Sequence, residues 1–126
     1  MPAISFQNQF AEPIRLGEKT TTIRQIRRGR PIRVGDTLHL FTGMRTRACE
    51  RIGTTRCVSV TPIDIFPDTG EITLNGMPCS QETVDQIVHR DGFASAKDFF
   101  AFFESKYGND PGPMLLIEWK PLENSS

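Results

Sequence analysis

The octet Gly17-Glu18-Lys19-Thr20-Thr21-Thr22-Ile23-Arg24 constrains this chain more than any other stretch, because it has to end a helix and begin a strand within a few residues. Phe10, Ile14 and Leu16 precede it on what reads as the inner face of a short helix, and Gly17 is a helix stop. Thr20 to Arg24 reads as a strand. A helix-to-strand junction rarely needs a lysine and three hydroxyls together. A lysine just past a helix end can be held against packed backbone, where partial desolvation lowers its pKa and frees the amine to act as a base. Thr22 is the kind of hydroxyl such a base activates, as Ser-Lys and Thr-amine pairs do in unrelated hydrolases. The plainer alternative is a helix end followed by an edge strand with solvated threonines.

The remaining elements follow from turn and cap signals. Phe6 belongs to a short opening strand, and the arginine-rich stretch from Gln25 to Arg33, broken by Gly29 and Pro31, reads as a mobile loop that can close over a ligand. Thr37 to Phe41 is a strand, followed by a basic loop reaching Gly53 and a longer strand over Thr55 to Ile65. Asp68-Thr69-Gly70 and Asn75-Gly76 are turns flanking a short strand at Glu71 to Leu74. Ser80 caps a helix carrying Val84, Ile87 and Val88 and ending at Gly92, and Ser95 with Asp98 opens a second whose buried stripe is Phe99, Phe102 and Phe103. Gly108 to Pro113 is a loop, Met114 to Lys120 the closing strand, and residues 121–126 a tail behind one domain over 1–120. Mostly antiparallel strands with about three helices, in neither βαβ nor bundle order, predict an α+β fold with a small mixed β-barrel.

The net charge of zero hides an asymmetry. Residues 15–56 hold eleven of the fifteen Lys and Arg against three acids, a net of +8, and the remainder carries −8. Ten of those eleven are arginines, suited to phosphate contacts and base stacking, so a nucleotide or RNA partner is favoured over simple mutual neutralisation of the two halves. Cys49, Cys57 and Cys79 lack zinc-site spacing, and His39 and His89 lie far from them in sequence, so free thiols, no metal and no cofactor are expected. No apolar run approaches a membrane span and no signal-peptide core opens the chain, which predicts a soluble cytoplasmic protein without a membrane partner. Oligomeric state is left open.

Ile4-Ser5-Phe6, the run from Ile14 to Arg24 and Val34-Gly35-Asp36-Thr37-Leu38 together resemble an ASCH domain, a relative of the PUA RNA-binding barrel. Phe41-Thr42-Gly43-Met44-Arg45-Thr46, Arg90-Asp91-Gly92-Phe93 and Leu116-Ile117-Glu118-Trp119-Lys120 resemble later segments of the same family. The Gly-x-Lys-Thr-x-Thr-Ile-Arg run is most similar to the small bacterial amidohydrolases of this family, which remove acyl groups from the exocyclic nitrogen of cytidine. That resemblance implies Thr22 as nucleophile, Lys19 as its base and an acid at Asp91, reached with a one-residue gap and shorter than the expected glutamate. Arg24 and Arg45 are candidates to hold substrate phosphate or sugar, with Thr20 and Phe6 as further substrate contacts, and structural arginines pairing with the acidic half would look the same in sequence; the resemblance implies a small nucleoside such as N4-acetylcytidine as substrate.

The alternative is an RNA-binding or RNA-processing ASCH module that uses its basic loops for backbone contacts. Only an enzyme needs Lys19, Thr22 and Asp91 together. Ala at Lys19 or Thr22 is expected to abolish turnover and spare the fold. Ala at Thr21 is expected to matter less, since adjacent strand residues point to opposite faces.

Overall fold

The computed structural model describes residues 3–26, 30–44 and 46–122. Seven strands and three helices follow in the order β1 (Ala3–Phe6), α1 (Ala11–Arg15), β2 (Thr21–Gln25), β3 (Thr37–Thr42), β4 (Glu50–Phe66), β5 (Glu71–Leu74), β6 (Met77–Pro78), α2 (Gln81–Arg90), α3 (Ala96–Tyr107) and β7 (Met114–Trp119). A 3-10 turn at Asn8–Phe10 leads into α1. No helix among the described residues is long and apolar enough to cross a membrane.

The strands form one mixed sheet. β1 runs parallel to β3, and every other pairing is antiparallel. β4 is the spine: residues up to Arg56 pair with β3, Cys57 to Ile63 pair with β7, and Ile63 to Phe66 pair with β5. A register shift between Cys57 and Ser59 marks the change of partner, as a bulge does where a strand must turn.

The α+β class with three helices and a mixed sheet holds, and the sheet does not close into a barrel among the described residues. β1 has β3 as its neighbour and β2 has β7, and no ladder joins β1 to β2 among the described residues. The Arg24 guanidinium bridges the gap instead, donating from Nη2 to the Ser5 carbonyl at 2.7 Å. A side chain thus takes an acceptor that a neighbouring strand would otherwise use.

The core has two parts. Phe6, Phe10, Ile14, Leu38, Leu40, Cys57 and Trp119 fill one; Ile23, Ile63, Ile72, Val84, Val88, Phe99 and Phe103 fill the other. Phe93 and Phe102 pack against both, and Phe93 meets Phe10, Phe99 and Phe102 at ring separations of 5.3–5.5 Å. These aromatics are structural.

Local signals behave as the sequence predicts at the caps and turns. Ser80 Oγ accepts from Thr83 N–H and Ser95 Oγ from Asp98 N–H, both at 3.2 Å. Asn75 and Gly76 both take positive φ, 51° and 78°, as the tight hairpin turn requires. Two expectations need correction. Leu16 is 51% exposed rather than inward, because α1 ends at Arg15 and Leu16 already belongs to its cap. The basic loop after β3 stops at Cys49, and the polar stretch from Glu50 joins β4 by backbone pairing to β3. Within the segment read as a tail, Pro121 stands against Gly17 and Leu122 close over Gly53; residues 123–126 lie outside the described part.

Candidate active site

Lys19 reaches its position through a short, fully bonded turn. Gly17 takes φ +78° after α1, and the amides of Glu18 and Lys19 both donate to the Pro13 carbonyl at 2.9 and 3.0 Å. Thr20 N–H then donates to the Arg90 carbonyl at 3.0 Å, and its own carbonyl accepts from Trp119 N–H. The segment is pinned to the end of α2 on one side and to β7 on the other. Lys19 is in consequence only 3% exposed.

Asp91 is brought there by α2. It is the C-cap of that helix, its amide bonded to the Ile87 carbonyl, and it too is 3% exposed. Lys19 Nζ donates to Asp91 Oδ1 at 3.1 Å and to the Asp91 main-chain carbonyl at 2.6 Å. The next residue must be glycine. Gly92 has φ +91°, and a Cβ on it would stand 3.2 Å from Lys19 Cδ and 3.4 Å from the Phe10 ring.

Burial sets the proton affinities of this pair. Desolvation holds the Lys19 amine below its usual value of 10.5; Asp91 opposes that shift and Arg24 adds to it. Desolvation also pushes the Asp91 carboxyl above its usual value of 3.8, against the pull of Lys19, Thr21 and Arg24. A carboxylate at a helix C-terminus is further disfavoured by the helix dipole, whereas an ammonium there is favoured. The Lys19 ammonium also lies 4.7 Å from the Phe10 ring centre and 5.6 Å from that of Phe6.

A cavity of about 480 Å³ opens onto this pair, and its wall includes Phe6, Lys19, Thr22, Arg24 and Asp91, with Lys106 of α3 also lining it. Thr22, 5% exposed, accepts a hydrogen bond at Oγ1 from Arg24 Nε at 3.0 Å. That bond leaves the Thr22 hydroxyl proton available to a base. Lys19 Nζ and Thr22 Oγ1 line the same cavity without bonding to each other among the described residues. The ring of Phe6 stands 5.1 Å from the Arg24 guanidinium.

Of the residues singled out from the sequence, the fold gathers Lys19, Thr22, Asp91, Arg24 and Phe6 around one cavity. Thr20 does not line it and holds the strand in place through its backbone. Arg45 lies outside the described residues. Thr21, expected to face away, donates from Oγ1 to Asp91 Oδ1 at 3.0 Å. That contact is set by where α2 packs, which alternation along β2 does not reveal. Phe10 was read as core, and it is also the face over which the Lys19 amine sits. Among the described residues no three His, Cys, Asp or Glu side chains converge as a metal site would require, and Cys49, Cys57 and Cys79 are free thiols.

No protein-family model and no curated protein matches this chain. Solved structures do. A serine mutant of ZmASCH from Zymomonas mobilis superposes with a TM-score of 0.57 at 17% identity, covering 94% of this chain and 66% of that one. ASCH from Zymomonas mobilis gives 0.55 at 18%, covering 94% and 65%, and a tyrosine mutant of ZmASCH gives 0.56 at 18%, covering 97% and 74%. The chain therefore spans about two thirds of the first two. Such identities speak to architecture alone, and the conclusion is architectural: the chain has the fold of an ASCH domain.

Proposed function

We propose that the protein is an amidohydrolase that removes the acyl group from the exocyclic nitrogen of N4-acylated cytidine-type nucleosides. The observation that carries this reading is the buried Lys19–Asp91 pair opening onto the same cavity as Thr22, with Thr22 Oγ1 already polarised by Arg24. An isolated lysine buried with a carboxylate is a poor way to stabilise a fold, since desolvation consumes most of the Coulomb attraction. Perturbed groups converging on a cavity are what acid–base chemistry needs.

In this scheme a neutral Lys19 donates its two N–H bonds to the Asp91 carbonyl and to Oδ1, which leaves its lone pair for the cavity. Thr22 Oγ1 attacks the acyl carbon and its proton passes to Lys19. The C–N bond breaks, the departing exocyclic nitrogen takes a proton from the Lys19–Asp91 pair, and free cytidine leaves an ester on Thr22. Water then cleaves the ester, releasing the carboxylic acid and restoring the hydroxyl. Arg24 Nε stabilises charge on Thr22 Oγ1, and its stacking on Phe6 suits a cavity wall that receives a pyrimidine ring.

The test is incubation of purified protein with N4-acetylcytidine and chromatography for cytidine. Release in the presence of a chelator, and none by the Thr22→Ala variant, is the expected result. No release by the wild-type protein rejects the reading.

A further inference from the structure

Thr21 offers a role that neither the nucleophile nor its base fills. Its hydroxyl is 3% exposed and bonds across 70 residues of chain to Asp91 Oδ1 at 3.0 Å, beside the 3.1 Å bond from Lys19 Nζ to the same oxygen. A buried strand threonine can satisfy its hydroxyl on a nearby carbonyl; this one is spent on the site's carboxyl group. Two donors on Oδ1 occupy both its lone pairs, and Oδ2 receives neither. Asp91 lines the cavity, so Oδ2 is the oxygen left for whatever enters it.

We propose that Thr21 is a positioning residue: with Lys19 it anchors Asp91 Oδ1, so that proton exchange and ligand contact are confined to Oδ2. The proposal rests on the hydrolase reading of the same site. Turning the carboxyl group over would break both bonds at once, so the anchor fixes the direction from which Asp91 meets the departing nitrogen. Lys19 alone gives Oδ1 one bond, its other being to the Asp91 main-chain carbonyl, so loss of the Thr21 hydroxyl removes half of the side-chain anchor.

The test compares Thr21→Val, which keeps the shape and removes the hydroxyl, with Thr21→Ser, which keeps the hydroxyl. In Thr21→Val cytidine release from N4-acetylcytidine should fall about tenfold or more in kcat with KM little changed, and Thr21→Ser should recover most of the loss. Carboxyl ¹³C NMR should show the Asp91 midpoint higher in the valine variant, since a donor to the ionised form is gone, and near wild type in the serine variant. A folded Thr21→Val protein with wild-type turnover and an unmoved Asp91 midpoint overturns the proposal. So does equal impairment of both variants, which would make the role one of packing. Should even the wild type release no cytidine, the hydrolase reading fails, and the Asp91 titration by itself still accepts or rejects the anchor.

Discussion

Lys19 is buried against Asp91 and is also the base of the proposed reaction, which separates its replacement from that of Thr22. Lys19→Ala strips the amine donor from a buried carboxyl group and empties space packed beneath Gly92. The sequence alone suggests that this variant spares the fold. With the pair buried, it should lower the unfolding free energy by about 3 kcal/mol, as a urea titration would read. Thr22→Ala should cost about 1 kcal/mol yet reduce turnover by about three orders of magnitude or more. The titration of the pair has a definite sign. Since Lys19 is held below 10.5, the unfolded chain binds its proton more tightly, so between the folded pKa and 10.5 stability rises with pH. Asp91 acts oppositely: above 3.8 the folded state retains a proton that the unfolded chain has lost, and stability falls as pH climbs through that window. Because Asp91 raises the Lys19 value, Asp91→Asn should move the Lys19 Cε titration to still lower pH by NMR. A shift upward would show that Asp91 does not support the Lys19 proton.

At the scale of elements, the joint between α2 and α3 is the most sensitive. Gly92→Ala puts a side chain at φ +91° and against Lys19 and Phe10, and should cost about 1–3 kcal/mol together with most of the activity. A stability unchanged in denaturant would show that the joint yields more easily than its contacts imply. Helix caps and turns were legible in the sequence because they are local: Ser80, Ser95 and Asn75-Gly76 each satisfy backbone groups within a few residues. The Lys19, Thr22 and Asp91 constellation was legible only through resemblance, since nothing in their spacing says that they meet. What stayed hidden depends on partners far along the chain. Glu50 to Thr54 reads as loop by its polarity, with only Ile52 buried, and is a strand because β3 supplies the ladder. The missing β1–β2 ladder, and the side of β2 on which Asp91 lies, are likewise set by packing that local propensity does not encode.

At the scale of the whole molecule, the ion pairs among the described residues fall mostly within each half of the charge split. Arg15 pairs with Glu50 and Arg30 with Asp36, all within the basic segment, and Lys19–Asp91 is the pair that joins it to the acidic remainder among the ion pairs of the described residues. A nucleoside carries no phosphate, so turnover of N4-acetylcytidine should change less than about twofold between low and moderate salt, and Arg30→Ala should leave it nearly untouched. Arg28→Ala, at a position outside the described residues, should leave it equally untouched. Tight RNA binding that collapses with salt, joined to no cytidine release, would favour the binding module instead. The spine strand carries a different consequence. β4 gives Ile52 and Cys57 to one part of the core and Ile63 and Ile65 to the other, on one unbroken run of backbone. Neither part can melt while the other keeps its share of that strand, so unfolding should be a single cooperative transition, with amides of β4 and β7 the last to take up deuterium.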